Sequence, residues 1–207
     1  MSNATAVRRI CDHVKEQIVS KSLFPGNRIA EEELAKAMGT SRTTVRSAIT
    51  RLSYEGVVEM VPNCGAFVAK PTLGDIRQAY IVRTALETQA VRLTANRISA
   101  ASLAKLHKNL EEQRALLRHF SMGQYAYLNR GFHWEIVCAA ENPYIEKYMN
   151  EILNKMEIYL IFYDSSIENT RSLASHQRIL EAIEAHDARA AEDAVVEDIL
   201  IGNSLHI

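Results

Sequence analysis

The chain lacks the features that would assign it to a membrane or to an oxidising compartment. No apolar run approaches the roughly 20 residues that a helix needs to cross a bilayer. No charged segment followed by an apolar one marks a secretion signal. Its three cysteines, Cys11, Cys64 and Cys138, have neither the paired spacing of a disulfide framework nor that of a zinc finger. We therefore expect a cytoplasmic protein with no membrane partner.

Charge is distributed unevenly along the 207 residues, although the formal net charge is only −1. Residues 1–70 contain ten Lys or Arg and seven Asp or Glu, whereas the remainder contains fourteen and eighteen. The first part is therefore the one suited to phosphate. Because its surplus is small, we expect a dimer to double the contacts with a nucleic acid. The hydrophobic content of 47% is sufficient for two modest cores.

The segment 40–52 separates an apolar face from a basic one. On a helix that starts near Ser41, four residues at i, i+3, i+4, i+7 spacing face a core: Val45, Ala48, Ile49 and Leu52. Outside this apolar face, at the first turn, lie the guanidinium and hydroxyl groups of Arg42, Thr43, Thr44 and Arg46. Beside unpaired backbone N–H groups, these side chains suit phosphates and the acceptor edges of bases. The pattern favours a DNA recognition helix over a solvated helix with an ordinary Ser cap.

The neighbours of this helix support the DNA-binding interpretation. Upstream, a short helical pattern over residues 32–38 stops at Gly39, as a helix-turn-helix requires. Downstream, the β-rich runs 57–61 and 66–69 flank the turn residues 62–65 and predict a two-stranded hairpin. Residues 1–70 are therefore predicted to form a winged helix-turn-helix domain.

This first domain resembles the GntR family of bacterial transcriptional regulators. The likeness is carried, in order, by residues 25–29 (PGNRI), 33–35 (ELA), 41–46 (SRTTVR), 51–52 (RL), 55–58 (EGVV) and 65–68 (GAFV). Thr44, Ser47 and Cys64 replace a common proline, glutamate and basic residue respectively. The resemblance implies that Arg42, Thr43, Thr44 and Arg46, with the adjoining Ser41, enter the major groove of DNA. It also implies that Asn63 and Gly65 at the wing tip approach the neighbouring minor groove or backbone.

The second part, residues 71–207, has only helical patterns. Pro71 disfavours helix at Lys70, and Thr72 precedes Asp75 by three residues, the spacing of a helix cap. Helices are predicted over residues 73–96, 102–120, 124–140, 143–163, 170–186 and 188–205. The fold class is therefore mainly α, with a winged domain followed by an all-helical bundle.

Four polar residues of the bundle occur where the helical pattern calls for apolar ones. Asn129 and His133 are separated by an i, i+4 step, while His176 and Asp198 lie on two later helices. Nitrogen and oxygen ligands of this kind suit a divalent ion. Taken singly, a helical His near an apolar face is usually a core residue with its hydrogen bonds satisfied.

The bundle also resembles the FCD domain, the ligand-sensing domain of the FadR branch of the same family. Residues 129–133 (NRGFH), 139–143 (AAENP) and 175–183 (SHQRILEAI) carry this likeness. The resemblance implies an Asp and three His that bind a metal ion and help to hold an organic acid. Here Asn129 stands at the Asp position and Asp198 at the last His position. We expect either a site for Zn, Ni or Mn formed by Asn129, His133, His176 and Asp198, or a polar effector pocket without metal.

Three further residues are candidates for effector binding. Arg83 could hold a carboxylate through two parallel hydrogen bonds, although the alternative is an i, i+4 ion pair with Glu87. Tyr159 and Tyr163, one turn apart, could line the same cavity or belong to the core.

These patterns predict a homodimeric transcription factor, most often a repressor in this family, and not an enzyme. A twofold dimer implies a near-palindromic operator in double-stranded DNA. An effector in the helical domain, expected to be a carboxylate, would alter how the two wings fit that operator. The alternatives are a metal-dependent enzyme in the helical domain and an effector-independent DNA-binding dimer.

Overall fold

The computed structural model describes residues 3–163 and 169–204, which form nine helices and three short strands. The first six elements are α1 (Asn3–Val19), β1 (Arg28–Ile29), α2 (Glu31–Met38), α3 (Arg42–Tyr54), β2 (Val58–Val61) and β3 (Gly65–Val68). The other six are α4 (Leu73–Arg97), α5 (Ala100–Leu116), α6 (Met122–Ala139), α7 (Pro143–Tyr163), α8 (Asn169–Glu184) and α9 (Ala188–Ser204). The predicted fold class is confirmed. Within the described residues, no helix is long and apolar enough to cross a membrane.

The turn between α2 and α3 has the geometry that its sequence predicts. α2 ends at Gly39, whose left-handed φ of 60° is a conformation that glycine adopts without a steric penalty. Ser41 caps α3, because its hydroxyl accepts a hydrogen bond of 3.1 Å from the backbone N–H of Thr44. The predicted apolar face of α3 is buried and consists of Val45, Ala48, Ile49 and Leu52.

The wing is a three-stranded antiparallel sheet with the strand order β1, β3, β2. β2 and β3 form the predicted hairpin, in which Val58 lies opposite Val68. The prediction of a two-stranded wing is incomplete, because Arg28 in β1 pairs with Phe67 in β3. A strand of two residues is too short to show the alternation by which strands are recognised in sequence.

The helical bundle begins at the predicted cap. The hydroxyl of Thr72 accepts from the N–H of Asp75 at 3.1 Å, and the Asp75 carboxylate accepts from the N–H of Thr72 at 2.8 Å. Five of the six predicted helices agree with the structure within about two residues at each described end; position 205, the predicted end of the last, lies outside the described residues. The exception is α5, which was predicted to reach residue 120 but ends at Leu116, because its last turn tightens into i to i+3 hydrogen bonds.

The winged domain packs directly on α6 and α7. Its hydrophobic core includes Ala126 from α6 and both Ile158 and Ile161 from α7. At the same junction, the backbone of α6 at Gly123 lies against the carbonyl oxygen of Val19, where there is no room for a side chain. The two regions of the chain therefore share a packed interface.

Candidate functional site

The first turn of α3 exposes the predicted DNA-contact side chains. Arg42, Thr43 and Arg46 are exposed, and Thr44 is half-buried. The hydroxyls of Ser41 and Thr44 lie 2.9 Å apart and hydrogen-bond to each other. These two hydroxyls therefore stabilise the helix terminus, while the two guanidinium groups project beyond it.

Carboxylates at the start of α2 pair with both arginines. The Nε of Arg46 donates to Oε2 of Glu31 at 2.7 Å, and Nη2 of Arg42 lies 4.0 Å from the same oxygen. Nη1 of Arg42 also lies 3.9 Å from Oε2 of Glu32. These partners are not among the residues predicted from the sequence, although three consecutive glutamates at residues 31–33 are a visible signal.

The wing tip faces the two arginines across an open groove. Asn63 and Gly65 adopt positive φ angles of 61° and 109°, which turn the chain sharply between β2 and β3. The groove has a volume of about 710 Å³, and Asn63, Gly65, Arg42 and Arg46 all line it. The structure therefore brings the predicted wing-tip residues and the predicted recognition arginines to one concave surface.

Three of the four predicted metal ligands meet inside the helical bundle. The Nε2 atoms of His133 on α6 and His176 on α8 lie 3.3 Å apart. Asp198 on α9 has Oδ2 at 3.4 Å from Nε2 of His133 and Oδ1 at 3.7 Å from Nε2 of His176. All three side chains are buried, and the ring of Phe132 stacks on that of His176. We refer to His133, His176 and Asp198 as the buried centre.

Two residues from α4 and α5 orient the histidines of the buried centre. A carboxylate oxygen of Glu87 contacts Nδ1 of His133, and Oε1 of Gln113 lies 2.9 Å from Nδ1 of His176. Because both oxygens are acceptors, each Nδ1 carries a hydrogen in the neutral ring and each Nε2 has a lone pair. Two lone pairs and a carboxylate thus point at one another, an arrangement that a bound cation or a shared proton stabilises.

Arg83 lies beside the buried centre. Its Nε donates to Oε2 of Glu87 at 2.7 Å, so the ion pair considered as an alternative is present. Its Nη2 is buried and has no hydrogen-bond partner among the described residues. The distance of 3.9 Å from Nη2 to Oδ2 of Asp198 is too long for a hydrogen bond. One guanidinium donor therefore remains available at the edge of the centre.

Burial and charge set the protonation of this region. Burial raises the pKa of Glu87, but Arg83 and His133 outweigh it, so this pKa lies well below its ordinary value. Burial and the neighbouring His133 lower the pKa of His176, which favours its neutral form. Burial raises the pKa of Asp198, an effect that His133 and Arg83 partly oppose. A neutral imidazole is the form that binds metal.

The remaining predicted residues lie on α6 and α7. Asn129 is half-buried on α6, one turn before His133, and its side chain makes no hydrogen bond to the described residues. The rings of Tyr159 and Tyr163 on α7 lie 5.6 Å apart. Tyr159 is half-buried against the core of the bundle, whereas Tyr163 is exposed. Their assignment to the effector site stays a prediction.

Two residues that contact the buried centre were not predicted to do so from the sequence. Glu87 was considered only as a partner of Arg83, and Gln113 was not considered at all, yet both contact the buried centre. A signal was present, because Gln113 continues the buried row formed by Leu106 and Leu110 at i, i+4, i+7 spacing. A polar side chain in such a row needs a buried partner.

The chain matches two family models and several named proteins. Residues 6–68 match the model described as bacterial regulatory proteins, gntR family, and residues 78–200 match the FCD domain. A Paenarthrobacter nicotinovorans protein named "Probable D-xylose utilization operon transcriptional repressor" is 29% identical over 206 residues, which cover 96% of this chain and 88% of that protein. The "HTH-type transcriptional repressor RspR" of Escherichia coli (strain K12) is 22% identical, over 90% and 82% of the two chains.

A solved structure has the same overall fold. The structure named "E. coli McbR/YncC" superposes with a TM-score of 0.82 at 22% identity, covering 100% of this chain and 97% of that chain. A likeness at this level of identity supports the arrangement of the helices and the wing, and it assigns no ligand.

Proposed function

Because this chain belongs to the GntR family of bacterial transcriptional regulators and carries its FCD domain, we propose that it is a repressor controlled by a small organic acid. The family and the named relatives are transcriptional regulators, not enzymes. We assign the chain to the FadR branch and to the cytoplasm. Residues 1–70 are the DNA-binding unit in this proposal, and residues 71–207 are the effector-binding and dimerisation unit.

The observation that carries the DNA-binding role is the pair of exposed guanidinium groups that face the wing tip across one groove. Arg42 and Arg46 supply donors for base edges and phosphates, with Thr43 and Thr44 beside them. Asn63 and Gly65 contact the adjoining backbone or minor groove. A homodimer would apply two such surfaces to a near-palindromic operator, which also compensates for the small basic surplus of each winged domain.

The buried centre fits a divalent metal ion. His133, His176 and Asp198 offer two nitrogen lone pairs and a carboxylate, and Glu87 and Gln113 fix the ring orientations from outside. We propose that these three residues hold Zn²⁺, Ni²⁺ or Mn²⁺, with Asn129 as a fourth ligand. When bound, the ion would supply a positive charge, and the carboxylate of an effector could coordinate it.

Arg83 is the second anchor that we propose for the effector. Its Nη2 is buried without a hydrogen-bond partner in the described part of the chain, and a buried donor of this kind favours an acceptor. A carboxylate bound between this donor and the buried centre would satisfy it. We extend the effector site to Tyr159 and Tyr163, whose rings would provide its apolar border.

Helix α6 connects the buried centre with the winged domain. Arg130, three residues before His133 on α6, donates through Nε to Oδ1 of Asn154 on α7 at 2.8 Å. Asn154 in turn donates to the carbonyl oxygen of Glu55, which caps the carboxyl end of α3, at 2.8 Å. If α6 can adopt two positions and the effector binds one of them more tightly, effector binding would change operator affinity through these contacts.

Selection of binding sites from random duplexes, followed by titration, tests the DNA-binding role. We expect Arg46→Ala to lower affinity for the selected operator at least about tenfold, because a bidentate arginine contact is lost. The control Arg189→Ala removes an exposed positive charge from the helical domain and should leave affinity unchanged. Equal affinity of Arg46→Ala and wild type would refute the assignment of the recognition surface.

Element analysis of protein purified without chelators or nickel resin tests the metal site. We expect about one divalent ion per chain in the wild type and none in His176→Ala. The control His107→Ala removes an exposed histidine on α5 and should retain the ion. A wild-type protein without metal that also fails to take up added Zn²⁺, Ni²⁺ or Mn²⁺ would refute this part of the proposal.

Thermal unfolding of the metal-loaded protein with a panel of small mono-, di- and tricarboxylates tests the effector. A carboxylate that binds the folded state should raise the melting temperature of the wild type and weaken its operator binding. Arg83→Lys, which keeps the charge but loses the planar fork, should respond less. If no carboxylate alters either quantity, the effector-independent dimer is the correct interpretation.

A further inference from the structure

Glu31 lies between the two arginines of the recognition helix. It is the first residue of α2, and its Oε2 accepts from Nε of Arg46 at 2.7 Å while lying 4.0 Å from Nη2 of Arg42. Its side chain is 26% exposed, against 65% for Arg46. The carboxylate thus lies beneath the guanidinium groups on the same groove that faces the wing.

We propose that Glu31 is a positioning residue for sequence recognition, an inference that rests on the proposed role of Arg46 in DNA binding. Glu31 holds the guanidinium of Arg46 through Nε. The outer edge of the fork, formed by Nη1 and Nη2, is then free to donate to two acceptors. The O6 and N7 atoms of guanine are such a pair in the major groove.

The nitrogen of Arg46 that donates to Glu31 decides whether the carboxylate positions the guanidinium group or blocks it. A carboxylate that took both Nη groups of Arg46 in a bidentate pair would occupy the fork that reads guanine. Glu31 instead takes Nε, and among the described residues no other ion pair involves Arg46. An arginine fixed at Nε loses less conformational entropy when its Nη groups bind a base.

Glu31 also reduces the attraction of the groove for phosphate. A carboxylate within hydrogen-bond distance of a recognition arginine weakens contacts that depend on charge alone, which are the sequence-independent ones. A correctly placed guanine offsets this loss through its two acceptors, whereas another base does not. Glu31 is therefore expected to increase the ratio of specific to non-specific affinity.

The alternative to a positioning role is that Glu31 only stabilises the start of α2. Glu31, Glu32 and Glu33 all lie in the first turn of α2, where carboxylates favour the helix dipole. Glu33 is exposed and has no ion-pair partner among the described residues. Glu33→Ala is therefore a matched control, since it removes the same charge from the same turn and leaves Arg46 paired.

The experiment uses the full-length protein and the operator obtained by selection from random duplexes. Fluorescence anisotropy at one salt concentration would measure affinity for the operator, for each single-base substitution of a half-site and for a scrambled duplex. Four variants are compared with the wild type: Glu31→Ala, Glu31→Gln, Glu33→Ala and Arg46→Ala. Thermal unfolding without DNA verifies that each is folded.

We expect Glu31→Ala to reduce discrimination about tenfold at the base pair whose preference Arg46→Ala abolishes, and to bind scrambled DNA more tightly. Glu31→Gln retains an oxygen acceptor for Nε and should keep most of the discrimination. Glu33→Ala should keep all of it. If Arg46→Ala abolishes the preference but Glu31→Ala discriminates as Glu33→Ala does, Glu31 has no positioning role. If Arg46→Ala itself changes no base preference, the proposed function of Arg46 fails first.

Discussion

Two arginine–glutamate pairs of equal length lie in very different surroundings. In the winged domain, Nε of Arg46 lies 2.7 Å from Glu31, with side chains 65% and 26% exposed. In the helical domain, Nε of Arg83 lies 2.7 Å from Glu87, with side chains 6% and 0% exposed. Water screens the first pair, so it contributes little to the stability of the fold. The second pair cannot separate without leaving a buried charge, so it is a fixed border of the buried centre.

The largest effect is expected from breaking the buried pair. Glu87→Ala should lower the free energy of unfolding by about 3–5 kcal/mol, because it leaves Arg83 charged and buried and removes the acceptor of His133. Urea unfolding in EDTA, at one protein concentration, would measure the loss without a contribution from metal. Glu197→Ala, which breaks the exposed pair with Arg178, should cost less than about 1 kcal/mol. Equal losses in the two variants would contradict the contrast between the regions.

A second variant tests the junction between the two regions. A Cβ at Gly123 would overlap the carbonyl oxygen of Val19, and a backbone atom of α1 cannot turn aside as a side chain can. Gly123→Ala should therefore lower the free energy of unfolding by about 2 kcal/mol as α1 and α6 separate. On the same helix, a Cβ at Gly131 would meet only the side-chain Nδ2 of Asn109 at 3.2 Å. Gly131→Ala should be neutral or slightly stabilising, since alanine favours helix, and a greater loss there than at Gly123 would contradict this account of the junction.

A similar contrast separates the features that could be predicted from the sequence from those that could not. Helix bounds and the apolar face of α3 could be predicted because they depend on spacing and caps within one segment. His133, His176 and Asp198 could be singled out because each interrupts an apolar row. Their orientation by Glu87 and Gln113 could not be predicted, since it depends on five helices meeting at one point. The pairing of Arg46 with Glu31 likewise depends on the angle between α2 and α3.

Glu157, at the junction of the winged domain and the helical bundle, is intermediate in exposure between the two arginine–glutamate pairs. Its Oε2 lies 3.4 Å from Nε of Arg130, and its side chain is 13% exposed. Burial raises the pKa of Glu157 to about 7, from an ordinary 4.5, against the opposing effect of Arg130 and Lys15. Because the folded-state pKa exceeds the unfolded one, its contribution to stability is fully present below pH 4.5 and is lost as pH rises through 7.

Glu157→Gln should remove this pH dependence. Relative to the variant, the wild type should lose about 2 kcal/mol of unfolding free energy between pH 5.5 and pH 8.5. Urea titrations of both proteins at the two pH values would measure the difference. The same loss in the variant as in the wild type would mean that Glu157 titrates at its ordinary pKa.

The smallest effect on stability is expected at the exposed pair of Arg46 and Glu31. Glu31→Ala and Arg46→Ala should each change the free energy of unfolding by less than about 0.5 kcal/mol, as is usual for screened pairs. Chemical unfolding at low and high salt would measure both. A loss above about 1 kcal/mol in either variant would mean that the pair supports the fold as Arg83 and Glu87 do. Without such a loss, a change in base preference caused by Glu31→Ala has to come from the orientation of Arg46 and not from a weakened domain.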